Sequence, residues 1–89
     1  MAHIDVDALT QFESAARRGQ VEALYNLGLA YSTGQGVVVD YVAAHKWFNL
    51  AAMKGVNEAR RWRTEISNEM SPTQIAEAQR QAREWLIAS

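Results

Sequence analysis

Four groups of residues in this sequence have types and spacings that could do chemistry. The first is Gly34-x-Gly36, followed by Val37-Val38-Val39, which has the outline of a phosphate-cradling loop. A dinucleotide cradle needs a strand before the first glycine, a third glycine, and a helix whose N-terminus meets the phosphate. Here Val39 stands at the third glycine position, the preceding segment has a helical period, and no Lys-Ser or Lys-Thr pair follows. The pair therefore reads as a helix–loop–helix link. The second group is the two histidines, His3 and His45. A metal face on a helix needs another ligand one turn away, and Tyr41 and Asn49 flank His45 at that distance. The third is Glu65 with Glu69, two carboxylates one turn apart with no cleft signature around them, which read as a solvated face. The fourth is Arg60-Arg61-Trp62-Arg63, which with Arg80 and Arg83 could pair phosphates and stack a base. Trp62 falls on an apolar helical stripe, leaving the arginines as its wet side, and the net charge of −1 gives no electrostatic case for nucleic acid. The sequence thus predicts no catalytic residue, no metal ligand and no cofactor site.

The bulk numbers narrow the class further. A chain of 89 residues is one domain by default, with a modest core. At 48% hydrophobic and 21% charged it is globular rather than disordered. Cysteine is absent, which excludes a disulfide framework and a thiolate metal site. No segment approaches the ~18 consecutive apolar residues of a membrane span. Asp5 and Asp7 occupy the stretch where a signal peptide would be basic. The expectation is a cytoplasmic protein, or a periplasmic one if the chain is a fragment of an exported protein. Residues 1–44 hold two basic and five acidic groups, a net of −3; residues 45–89 hold seven and five, a net of +2.

Five stretches carry apolar residues at helical spacing: 5–18, 21–33, 41–54, 58–70 and 72–88. Their stripes run through Leu9, Phe12 and Ala16; Ala23, Leu27, Gly28 and Tyr31; Ala44, Trp47, Phe48, Ala51 and Ala52; Ala59, Trp62, Ile66 and Met70; and Ile75, Ala78, Ala82, Trp85 and Leu86. Asp40 is a natural N-cap. Ser71-Pro72-Thr73-Gln74 combines an N-cap serine, a first-turn proline and a capping-box glutamine. Gly19, Gly34 and Gly55 stand where helices would end in a left-handed residue. Gly28 lies inside a helix, at a cost of about 1 kcal/mol relative to alanine; the expected compensation is close contact with Ala44 or Phe48.

The chain also repeats. A shift of 36 residues aligns Ala8 with Ala44, Phe12 with Phe48, Ala15-Ala16 with Ala51-Ala52, Gly19 with Gly55 and Glu22-Ala23 with Glu58-Ala59. The stretch Ala23-x-x-x-Leu27-Gly28-x-x-Tyr31-x-x-Gly34-x-Gly36-Val37-x-x-Asp40-x-x-x-Ala44-x-x-Trp47-x-x-x-Ala51-Ala52-x-x-Gly55 strongly resembles the Sel-one-like repeat, a relative of the tetratricopeptide repeat. The resemblance implies an all-α solenoid of about five antiparallel helices in a right-handed superhelix. Within one domain over 1–89, a half repeat at 5–19 precedes a full repeat at 20–55, and 56–89 form C-terminal capping helices like those of bacterial members. It also implies a non-catalytic scaffold for protein–protein contact. The penicillin-binding members are cysteine-rich, and this chain lacks their cysteines.

In that family the first helix of each repeat lines a concave groove. Glu22, Tyr25, Asn26, Leu29 and Ser32 then face the groove, and Arg61, Trp62, Glu65 and Asn68 continue it. Tyrosine, leucine and arginine together suit a protein or peptide partner with an apolar anchor and an acidic group. The competing reading is that Tyr25 and Leu29 merely cover the first helix. A further alternative is a self-assembly unit or a terminal fragment of a longer scaffold. In it the first helix, with Val6, Leu9 and Thr10 on its outer face, pairs with a second copy to give a homo-oligomer.

Overall fold

The protein is described by a computed structural model over residues 6–88, with side chains from Ala8 onward. His3, Asp5 and the side chains of Val6 and Asp7 lie outside the described residues. Five helices account for the fold: α1 (Val6–Arg17), α2 (Val21–Thr33), α3 (Tyr41–Met53), α4 (Asn57–Ser67) and α5 (Pro72–Ala88). No strand occurs among the described residues. The architecture is an all-α helical repeat.

The helix starts follow from the residues that cap them. Asp40 is extended (φ −142°, ψ 99°), and its Oδ1 accepts the Ala43 N–H at 3.1 Å. At α5 the capping box closes in both directions. The Gln74 N–H donates to Ser71 Oγ at 3.1 Å, and the Ser71 N–H donates to Gln74 Oε1 at 2.9 Å. The repeat is visible in the backbone itself. The Gly19 N–H bonds the Ala16 carbonyl and the Gly55 N–H bonds the Ala52 carbonyl, both at 3.0 Å. The next residues, Gln20 and Val56, donate to Ala15 and Ala51 at 3.0 and 3.1 Å. Both turns need φ near +90° (89° and 97°), which is why each carries glycine.

α4 stops three residues short of its apolar stripe. Asn68, Glu69 and Met70 donate to the carbonyls of Glu65, Ile66 and Ser67. These tighter i→i−3 bonds turn the chain toward Pro72 while Met70 stays buried.

α3 is the centre of the molecule, packed against α2, α4 and α5, while α1 packs on α2. Leu27, Ala30, Ala44, Phe48, Ala51 and Ala59 are fully buried. The alanines permit close backbone approach, and Phe48 fills the space between α2 and α4. Leu24, Ala30 and Leu50 are buried although they lie off the stripes, because α2 and α3 are covered on two sides. α5 closes the end through Trp85, whose ring meets Trp47 edge-on at 4.8 Å. The Arg17 guanidinium covers Trp85 at 4.6 Å and the Lys46 ammonium covers Trp47 at 4.3 Å. Lys46 also reaches Trp85 at 5.7 Å, so Arg17 and Lys46 tie α1 and α3 to α5.

Candidate protein-interaction surface

The surface is built outward from Phe48. Gly28 of α2 lies so close to this ring that an added Cβ would sit 2.6 Å from its Cδ1 and Cε1. The missing side chain thus seats Phe48, one of the two contacts expected from the sequence. Two further rings rest on it. Tyr25 of α2 is tilted by 57° at 5.8 Å, and Trp62 of α4 stacks at 6.3 Å and 15°. Trp62 Nε1 donates to the Tyr25 hydroxyl at 3.1 Å, joining α2 to α4. Trp62 keeps 43% of its surface exposed, so it is a buttressed outer ring, although it also lies on the apolar stripe of α4.

Beside it lies a cleft of about 340 Å³ lined by Glu58, Arg61, Trp62 and Glu65. The i, i+3, i+4, i+7 spacing places all four on one face of α4. They stand 36 residues after Glu22, Tyr25, Asn26 and Leu29, so the cleft repeats, on α4, the helix face predicted on α2. Arg61 and Glu65, both named from the sequence, line it. Tyr25 joins through its bond to Trp62. The other α2 candidates do not line the cleft. Leu29 is half-buried and held against the core rather than offered as an apolar anchor. Its carbonyl accepts Ser32 Oγ at 3.1 Å and Thr33 Oγ1 at 2.7 Å, which turns the Ser32 hydroxyl back on its own helix. Asn26 is half-buried and Glu22 exposed. Asn68 ends α4. Glu58 is new to the set, although the 36-residue shift from Glu22 points to it.

Residues 21–56 match the family model of the Sel1 repeat. The chain carries a Sel1 repeat. Modules of this family are generally non-enzymatic and mediate protein–protein contact. No curated protein matches the chain. The matched span runs from the start of α2 through the turn after α3, so the Sel1 repeat supplies Tyr25, Gly28 and Phe48, and the following helix supplies Trp62.

The remaining candidates fall into structural roles. Within the Sel1 repeat, Gly34 ends α2 in a left-handed conformation (φ 74°), its N–H bonded to the Ala30 carbonyl. The Asp40 N–H then bonds the Tyr31 carbonyl at 3.0 Å and closes the link. Val37 packs under the turn. Val38 and Val39 do not; with Tyr41 they form an exposed apolar patch that the sequence reading left unassigned. The arginines do not gather. Arg63 donates to Asn49 Oδ1 at 2.6 Å, and Arg80 clasps Glu77 at 2.9 and 2.5 Å and also reaches Glu84. Hydrogen bonds from Arg80, and then from Gln81, hold the Glu77 carboxyl at about 2. His45, expected at the surface or partly packed, is buried, and its Nδ1 meets no partner. Burial, and secondarily Arg63, pushes its pKa below the usual value. Among the described residues no three potential ligands gather to hold a metal, and no helix is long and apolar enough to cross a membrane. On α1, Leu9 turns into the core and Thr10 is exposed, so of these two only Thr10 lies on the outer face.

Proposed function

We propose that this protein is a non-catalytic adaptor that binds a partner protein or peptide on the face shared by α2 and α4. One observation carries the reading: the Tyr25–Trp62 pair, fixed on Phe48, presents a half-exposed indole at the rim of a cleft. Tryptophan, tyrosine and arginine dominate the energetics of protein interfaces because they bury large areas at low entropic cost. Trp62 is held by a hydrogen bond and a stacked ring, so little further ordering is lost on binding. Arg61 and Glu65 supply the polar contacts around it.

A random 12-residue peptide display selection tests this. The wild-type chain is expected to enrich a peptide family that an Arg61→Ala/Trp62→Ala variant, checked for retained helicity by circular dichroism, fails to hold. Equal enrichment on both would show that this face is not the binding surface.

A further inference from the structure

Three tryptophans stand in this chain, and two of them already carry a cation: Arg17 covers Trp85, and Lys46 lies over Trp47. Among the described residues no cation covers Trp62. Phe48 lies nearly parallel to its ring on the core side and Tyr25 takes its N–H, while 43% of the residue stays exposed. Glu58 lies one turn before Trp62 and Glu65 one turn after it, both exposed and both lining the same cleft. Among the described residues neither carboxylate is in an ion pair; the ion pairs there belong to Arg80. Arg61 can satisfy one of the two, so the described lining of the cleft keeps a net negative charge.

We infer that the cleft takes a basic side chain, arginine or lysine, from a peptide segment of the partner, stacked on the outer face of Trp62 between Glu58 and Glu65. An electron-rich ring flanked by carboxylates is matched to a cation, and a guanidinium can stack on the ring and bond a carboxylate in the same pose. The sequence alone suggested an acidic group for Arg61. Glu58, brought in by the helix face, reverses that balance. The inference rests on the adaptor reading and specifies its ligand.

The test uses three capped heptapeptides, Gly-Ser-Leu-X-Leu-Ser-Gly, with arginine, glutamine or glutamate at X. Each is titrated into the full ¹⁵N-labelled chain while the Trp62 indole N–H resonance is followed, assigned by its loss in Trp62→Phe. The arginine peptide is expected to shift that resonance and to bind roughly five- to tenfold more tightly than the glutamate peptide. That preference should collapse in Glu58→Gln/Glu65→Gln, whose exposed substitutions leave the fold intact. Tighter binding of the glutamate peptide at Trp62 would overturn the basic-ligand assignment and leave the adaptor surface standing. No shift with any of the three at millimolar concentration would also overturn it. Display-selected peptides that leave Trp62 unmoved would bring down the adaptor surface itself.

Discussion

Replacing Gly28 with alanine sets two effects against each other, and the structure sizes both. In an unobstructed helix interior the change adds about 0.5–1 kcal/mol, because alanine loses less backbone freedom on folding. At Gly28 the new Cβ would lie 2.6 Å from two atoms of the Phe48 ring and 2.9 Å from a third. Carbon atoms rest about 3.5–4.0 Å apart, so the ring would have to retreat by about 1 Å. Phe48 has no exposed surface, and Tyr25 and Trp62 rest against it. Any retreat therefore moves α3 or disturbs the Tyr25–Trp62 pair. Overpacking of this kind costs about 1–3 kcal/mol, and so short an approach belongs at the upper end. The net loss is about 1.5–2 kcal/mol once the propensity gain is subtracted. In a domain of this size that lowers Tm by about 6–16 °C. Thermal melts followed by far-UV circular dichroism would measure it. A Gly28→Ala chain melting at or above the wild-type temperature would refute the reasoning. A double-mutant cycle with Phe48→Leu separates the cause from general disruption. With the ring gone, Gly28→Ala should cost nothing or stabilise, a coupling of about 1 kcal/mol or more. Strict additivity would show that Phe48 is not the obstacle.

Two further substitutions test the frame around the site. Ser71→Ala removes the acceptor of the Gln74 N–H and should cost about 1 kcal/mol; an unchanged melt would mean that the capping box adds nothing to α5. His45 gives a pH dependence. Its pKa is lowered in the folded chain, so the unfolded chain binds the proton more readily. Its contribution is therefore intact above about 6.5 and is lost as pH falls below that value. Urea midpoints at pH 7.5 and 5.5 should fall further for wild type than for His45→Gln, and equal falls would show that burial leaves this histidine unperturbed.

What could be read from the sequence was what short stretches encode by themselves. Asp40, the Ser71–Gln74 box and the glycines at 19, 34 and 55 act through neighbours a few residues away, and each does what its type and position imply. The 36-residue shift extended that legibility to the fold and, through Glu22, could have reached Glu58. Burial off the stripes was not legible. Leu24, Leu50 and His45 are covered by a second neighbouring helix that the periodicity of one helix cannot report. The reverse holds at the end of the repeat: Trp62 and Leu86 sit on apolar stripes but keep 43% and 38% of their surface exposed. The Tyr25–Trp62 bond spans 37 residues and depends on both side chains leaning toward each other over Phe48, which no spacing rule contains.

The candidate surface is thus a consequence of repetition rather than an addition to it. Phe48 is fully buried because α2 and α4 close on it from both sides, and each leaves an aromatic ring on the outer rim. Phe12, its counterpart one repeat earlier, sits on α1, which packs on α2, and stays half-buried. A rim of the Tyr25–Trp62 kind needs a second helix on the far side of the phenylalanine, so one repeat alone cannot form it. The segment after the Sel1 repeat supplies that helix. Its exposed face carries Glu58, Arg61 and Glu65 at positions where the repeat before it has Glu22, Tyr25 and Leu29. The first pair is unchanged, and the other two exchange an apolar contact for a charge. α4 thus carries charged side chains at the positions where α2 has the core-covering Tyr25 and Leu29, which is why the cleft lies on α4 and not on α2.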